Sequence, residues 1–444
     1  MEDASQRARV LVAGAVAATA LLTLLHLLVV RWFAVDVPYW DEWEMFHPDA
    51  LPAGLRWGWL VAQHNEHRLV LTKLQIWALH RLDGWDLVTH VTLNFVVYGL
   101  LVAAVGAFVA RAAGARGAAA CLPFLPFLLS PLGHENHAWG FQAQFHFAYL
   151  GAVVAACAVA APRRDLPHGV VVALSVALAI AAMTGGLIVC GGLLAVAAVH
   201  EAARLRAGDA AERRATLRFA GAALLPSAAL ALLWAATFVP IHREYYQSPL
   251  SGRVLAYFCD LVALGFGVTT TSLAAGVPCL LAVVVPAALA VRAAPDPAAR
   301  ARAVATAGLI AGLLAALFAV AVGRAVQAPE TAKSSKYWQT AALLVPLAAV
   351  AWHQALAGRP RLRRGVLAGL WLACAVGYAD DWTTAGYRRE RARRVEGLRC
   401  AASYYAVGAP TRCPEVYYGD LAPRLNAALT LEASFTRALA AKAR

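Results

Sequence analysis

Three carboxylates, Asp41, Glu42 and Glu44, stand among Tyr39, Trp40, Trp43 and Phe46 in the stretch PYWDEWEMF. A second polar stretch, QHNEHR, carries His64, Asn65, Glu66, His67 and Arg68. A third, GHENHAWGFQAQF, carries His134, Glu135, Asn136, His137, Trp139 and Gln142. A fourth, ETAKSSKYW, carries Lys333, Lys336 and Tyr337, with Arg324 shortly before it. Carboxylates can serve as general bases toward a hydroxyl. Arg and Lys can hold a phosphate and stabilise its negative charge as it departs. Together these groups suit transfer of a sugar from a polyprenyl phosphate to a hydroxyl acceptor. The phosphate is already a good leaving group, so the acceptor's proton is the one that needs a base.

The pairs His64/His67 and His134/His137 are each three apart, which on a helix puts two imidazoles on one face. With Asp41 or Glu66 such a pair would suit a divalent metal, so a metal is possible. HENH is one residue short of the HExxH zinc-protease pattern. Hydrogen bonding to sugar or phosphate is the alternative for these histidines. Asn65, Glu66, Asn136 and Gln142 suit sugar hydroxyls or a scaffold, and Trp139 and Phe141 suit ring stacking or core packing. Plainer readings stand beside the chemical ones. Asp41 and Glu44 end a helix in water, and His67, Arg68, Arg324, Lys333 and Lys336 reach for headgroups.

The elements that must position these residues are membrane helices. Of 444 residues, 61% are hydrophobic, and several apolar runs approach the roughly 20 residues that cross a bilayer as helix. The chain is expected to be an all-α polytopic membrane protein. Its first apolar run has no small-residue cleavage site after it and is expected to stay as a helix. Crossings are predicted near 10–33, 86–110, 117–130, 145–161, 169–182, 186–199, 217–239, 272–291, 303–322, 337–356 and 365–378, about eleven in all. The fifth and sixth meet at Thr184-Gly185-Gly186 as a tight hairpin or one broken helix.

The net charge of +13 lies in short loops and the tail, which is membrane topology rather than nucleic-acid binding. No Walker or Rossmann glycine loop is present. Arg7, Arg9 and the basic loops at 111–116, 162–165, 200–218, 291–302 and 358–365 all fall on one side if the N-terminus is cytoplasmic. The loops at 34–85, 131–144, 240–271 and 323–336 then fall outside, with the tail from Asp380. The Ala, Arg and Gly bias fits a GC-rich bacterial genome, so the expected place is a bacterial inner membrane. Cys400 and Cys413 lie in that tail, where an oxidising compartment lets them pair.

Within the first outer loop, residues 68–82 are too short and too charged to span and are predicted to form an interfacial helix. Residues 251–267 are expected to form another interfacial or re-entrant helix. The tail is expected as two helices in a small unit, 381–444, beside a membrane domain, 1–380.

An inside start, one helix and then an acidic pair heading a long outer loop resembles the GT-C superfamily. These are integral membrane glycosyltransferases that use lipid-linked sugars, among them protein O-mannosyltransferases and aminoarabinose transferases. The matching residues are Asp41 and Glu42. YWDEW, QHNEHR, HENHAWGFQ and SSKY also resemble uncharacterised bacterial membrane proteins of this superfamily. The resemblance implies Asp41 as base, with Glu42 or Glu44 placing the acceptor or a metal. It also implies a polyprenyl-phosphate donor and, for a β-linked donor, inversion. The large periplasmic domain of many members is absent, which leaves the acceptor class open. Two other functions fit the inventory: a flippase or transporter of lipid-linked saccharides, and a metal-dependent membrane hydrolase or phosphotransferase. No internal repeat is seen and the mid-helix regions are almost free of charge, both of which speak against transport.

Overall fold

A computed structural model describes residues 2–269 and 271–443. The side chains of Arg7 and Arg116, counted above among the basic flanks, lie outside that description. The chain is nearly all helix. In order it runs α1 Glu2–Phe33, α2 Trp57–Val61, the strands β1 Gln63–His64 and β2 His67–Arg68, α3 Val70–Asp83, α4 Leu87–Cys121, α5 His134–Ala138, α6 Ala143–Val159, α7 Leu166–Ala182, α8 Thr184–Ala207 and α9 Ala210–Ala236. There follow α10 Gly252–Leu264, α11 Leu273–Ala293, α12 Pro297–Arg324, α13 Ser335–Ala342, α14 Leu344–Ala355, α15 Pro360–Gly377, α16 Ala385–Val407, α17 Ala422–Thr430 and α18 Ser434–Ala443.

All eleven predicted segments are largely helical, but fewer of them are long and apolar enough to cross a membrane. Among the described residues seven helices qualify, or eight if one bent pair is a single span. That bent pair is the third predicted crossing. Pro123 and Pro126 deny the backbone two N–H donors, so residues Leu122–Leu129 wind as a 3-10 helix. The chain then bends by 43° into Pro131–Ala138. The fifth and sixth segments break at Met183, whose extended backbone cannot continue a helix. Gly186 lies against the Ala179 carbonyl across that break, so the two helices turn back on each other.

α8 and α12 pack face to face, as do α6 and α7, α7 and α9, and α11 and α14. Lipid gives helices no hydrophobic drive to associate, so close backbone approach has to supply the contact. A Cβ at Gly192 of α8 would lie 2.5 Å from the Gly312 Cα of α12, and only glycine fits there. The outward faces are apolar. Leu21, Leu25, Leu28 and Trp32 of α1 and Leu225, Leu232 and Leu233 of α9 are exposed. That is the pattern of a surface solvated by hydrocarbon rather than water.

The tail is not a separate unit, which corrects the expected boundary at 380. Trp43, Phe46, Leu51, Trp59, Ile76 and Trp85 of the first outer loop share one apolar core with Cys413, Val416, Leu421, Leu425 and Phe435 of the tail. A fragment of about 60 residues is marginal as a core of its own, and the loop adds apolar side chains to it. Cys400 and Cys413 are disulfide-bonded, with Cα atoms 5.8 Å apart. The predicted interfacial helix at 68–82 appears as α3, beginning two residues later than expected because His67 and Arg68 belong to a strand. The weak segment at 251–267 appears as α10, 13 residues long and buried through its second half.

Candidate active site

The residues after α1 form a 3-10 helix, Trp40–Phe46. Its period of three sorts the side chains into rows. Trp43 and Phe46 form one row and Glu42 and Met45 another, and all four are buried. Asp41 and Glu44 form the remaining row and stay partly exposed. The turn is entered at Trp40, whose φ of +48° is unusual for a residue with a side chain. Its N–H donates to the Val416 carbonyl of the tail at 2.7 Å.

The three carboxylates have three different fates, and two correct the sequence reading. Glu42 is fully buried. Its Oε2 accepts from the Tyr39 N–H at 2.9 Å and its Oε1 from the Phe141 N–H at 3.2 Å. Burial pushes its pKa up to about 7, against the pull of Arg394 and those two N–H groups. Glu42 therefore clips the turn after α1 to the backbone at Phe141. Glu44 accepts from Tyr417 Oη at 2.5 Å and, through both oxygens, from Arg424 at 2.9 Å. It ties the turn to the tail. Asp41 makes no hydrogen bond among the described residues, and its ion-pair neighbour is His64, whose Nε2 stands 3.5 Å from Oδ2. That Nε2 is buried and makes no hydrogen bond.

His64 and His67 are neighbours, but through a hairpin and not a helix face. They pair across β1 and β2. The two-residue turn Asn65-Glu66 carries φ +48° at Asn65, a conformation Asn tolerates. Asn65 is exposed and its carbonyl accepts from Gln63. Glu66 Oε1 accepts from the His242 N–H at 3.1 Å, and its carbonyl accepts from the Thr184 hydroxyl. Arg68 donates to the Val61 carbonyl at 3.0 Å and to Thr237 O and Oγ1 at 2.6 and 3.0 Å. Its guanidinium thus binds orphan carbonyls at the ends of α2 and α9, and its predicted phosphate role gives way to a structural one. The hairpin is a hub joining the first outer loop, the third and the start of α8.

The third polar stretch, GHENHAWGFQAQF, is mostly scaffold. Glu135 accepts from the Lys336 N–H at 2.7 Å and from Ser334 Oγ at 3.1 Å, so it caps α13 where helix N–H groups are otherwise unpaired. Asn136 donates to the Lys336 carbonyl at 3.0 Å, and Asn94 donates to the Asn136 carbonyl at 2.9 Å. His137 Nδ1 meets Tyr387 Oη at 3.0 Å, deep in the bundle. His134 lies against Gly386. Trp139 packs on Tyr39 and Phe141, and Gln142 is buried against Gln144. These residues tie their loop to α4, α13 and α16.

The cations divide cleanly. Lys333 donates to the Asp260 and Val268 carbonyls at 2.8 and 2.9 Å, and burial pulls its pKa down to about 8. It bolts the fourth outer loop to the end of α10 and is not available to a phosphate. Lys336 and Arg324, among the described residues, make no side-chain hydrogen bond or ion pair. Lys336 Nζ lies 5.2 Å from the Tyr337 ring centre. Asp41, Glu135 and Arg324 all act on the charge of Lys336, and Arg324 also acts on His67 and Tyr337. Burial, assisted by Arg324 and His64, takes the His67 pKa down to about 4, so its imidazole is neutral at pH 7.

One neighbourhood therefore holds a carboxylate with a lone histidine partner, a neutral imidazole, two unpaired cations and the Tyr337 phenol. Beside it a cleft of about 260 Å³ opens between α10 and residues Ala325–Pro329, lined by Arg253, Tyr257 and Asp260. Among the described residues no group of three or more His, Cys, Asp or Glu side chains is placed to hold a metal ion. The residues that sequence reading missed are those that hold the turn: Tyr417, Arg424 and Val416. No local pattern marks them, since each acts on a residue more than 370 positions away. No family model, curated protein or solved structure matches the chain.

Proposed function

We propose that the chain is a membrane glycosyltransferase of GT-C type. It moves a sugar from a polyprenyl-phosphate donor to a hydroxyl acceptor at the outer face of a bacterial inner membrane. The observation that carries this reading is that Asp41, the one carboxylate of its turn without a hydrogen bond among the described residues, is near enough to Lys336 to act on its charge, as Arg324 also is.

In the reaction the acceptor oxygen bonds to the anomeric carbon as the bond from that carbon to the phosphate oxygen breaks. The acceptor's proton goes to Asp41, and His64 holds that carboxylate in place. The phosphate leaves with its charge facing Lys336 and Arg324. Tyr337 and neutral His67 offer hydrogen bonds without adding charge. Direct attack on a β-linked donor inverts the anomeric centre. Eleven crossings place the N-terminus in the cytoplasm and the four polar loops with the tail outside. All eleven segments are largely helical, seven helices among the described residues are by themselves long and apolar enough to cross, or eight with the bent pair, and the disulfide in the tail suits an oxidising side.

Purified protein incubated with a panel of polyprenyl-phosphate sugars is expected to release the carrier phosphate when an acceptor is present. Asp41→Asn is expected to lower the rate by about 10²–10⁴-fold, the usual worth of a general base. No release from any donor of the panel would remove the reading.

A further inference from the structure

The tail is joined to the helical bundle at the C-terminal end of α1. Tyr387 of α16 is hydrogen-bonded to His26 of α1 at 2.5 Å, and its ring stacks on Phe33 with planes inclined by 24°. His26 lies two turns before Phe33, about 10 Å along the helix axis. Arg391 donates to the Trp32 carbonyl, one of those that a helix end leaves unpaired. The first turns of α16 are thus held against the last turns of α1, and the medium around one surrounds the other. On the outward face of α1 that medium is lipid, since Leu21, Leu24, Leu28 and Trp32 are between 54% and 76% exposed. Helical spacing puts Leu21, Leu24, Leu28 and Arg31 on one stripe, which therefore ends in a cation.

The charges around this junction do not balance. Arg31 of α1 and Arg388, Arg389 and Arg391 of α16 are exposed and make no ion pair among the described residues. Arg391 stands level with Arg31, because the carbonyl it binds belongs to the next residue, and Arg388 lies one turn from Arg391 on the same face of α16. Arg389 is near enough to His134 to act on its charge. Most acids close by are committed. Glu390 is buried and pairs with Arg393 at 3.2 Å, and Glu396 pairs with Arg399 at 3.1 Å. Asp36 accepts from the Leu87 N–H at 3.0 Å and the Ser434 hydroxyl at 2.8 Å, and Glu135 caps α13. Asp380 and Asp381, in the turn before α16, have no ion pair among the described residues. The unpaired arginines therefore outnumber the unpaired aspartates. Trp32 and, from that same turn, Trp382 are exposed, and Trp is the residue type that settles at headgroup level.

We propose that the junction of α1 and α16 binds an anionic phospholipid of the surrounding bilayer. Its acyl chains lie along Leu21, Leu24 and Leu28, and its headgroup phosphate is held by Arg31, Arg388 and Arg391. An arginine at the edge of the hydrocarbon lays its stem along the chains and sends its guanidinium to the phosphate. A surface with more cations than acids favours a headgroup of net negative charge, by about five-fold per basic residue. The inference stands apart from the glycosyltransferase reading, since it needs only the lipid-facing side of α1.

The test places the full-length protein in phosphatidylcholine bilayers and adds phosphatidylglycerol or phosphatidylcholine brominated on the acyl chains. Bromine quenches tryptophan on contact, and the quenching that disappears with Trp32→Phe belongs to Trp32, whose backbone carbonyl the variant keeps for Arg391. Brominated phosphatidylglycerol is expected to quench Trp32 at about ten-fold lower mole fraction than brominated phosphatidylcholine. Arg31→Gln with Arg388→Gln is expected to remove most of that preference, leaving less than about two-fold. Neither side chain makes a hydrogen bond among the described residues, so the variant is expected to melt with the parent. Arg31→Lys with Arg388→Lys keeps both charges and is expected to hold the preference within about three-fold. Arg399→Gln, three turns further along α16, is expected to leave it unchanged. The proposal is overturned if wild type shows no preference, if the double glutamine variant keeps it, or if Arg399→Gln loses as much. Relief of the quenching by an equimolar unbrominated polyprenyl phosphate would also overturn it, by giving the site to a carrier lipid.

Discussion

Asp41 differs from its two neighbours because it is the carboxylate the fold leaves uncommitted. Glu42 and Glu44 each answer two or more donors, and a committed carboxylate is a poor base. Glu42 makes its own prediction. Its pKa is raised from 4.5 to about 7 in the folded chain, and that of Asp36 from 3.8 to about 6. Between those limits the unfolded chain has released protons that the folded chain still holds. Stability from this source is full below pH 4 and is lost as pH rises toward 7. Glu42→Gln is expected to flatten the fall in melting temperature between pH 5 and pH 7.5, and an unchanged slope would show that Glu42 ionises freely in the fold. For the cations, Lys336→Ala is expected to reduce kcat by about 10²–10³-fold. Arg68→Ala is expected to lower thermal stability with donor KM unchanged, because its guanidinium serves Thr237 and Val61. A rise in donor KM for Arg68→Ala alone would return the phosphate role to Arg68.

The elements that matter most are the turn Trp40–Phe46, the hairpin at 63–68 and the tail. Their legibility in the sequence was uneven, for physical reasons. Composition marks lipid-facing helices well, since apolar runs of that length have few other uses. It marks short elements poorly. QHNEHR has the spacing of a helix face and of a hairpin at once, and the choice fell to Asn65 and to partners on α8 and α9. The acidic turn was legible as a site but not in its division of labour, because Glu44 is taken by Arg424 and Tyr417 from the other end of the chain. The tail looked like a small unit of its own and instead shares one core with the loop after α1. Arg424→Ala should therefore destabilise the protein by about 1–3 kcal/mol, the cost of leaving Glu44 with an unpaired charge. A thermal melt equal to the parent's would mean that the turn holds without the tail.

At the scale of the whole molecule, long-range contacts join the four polar stretches to one another, on a helical bundle whose outward faces are apolar. Close packing between α8 and α12 and between α11 and α14 makes the rigid floor on which α13 carries Lys336. The disulfide closes the tail over the turn, and breaking it with paired Cys400→Ser and Cys413→Ser changes is expected to remove about 2–3 kcal/mol of stability. What unites these levels is a carboxylate with no hydrogen bond among the described residues, near enough to Lys336 for each to act on the other's charge. The direct measurement is carrier release from a polyprenyl-phosphate sugar by wild type and by Asp41→Asn, both checked for intact thermal melts. Release with sugar transfer in the wild type and its near-complete loss in the variant is the predicted result. Undiminished release by Asp41→Asn would contradict the account.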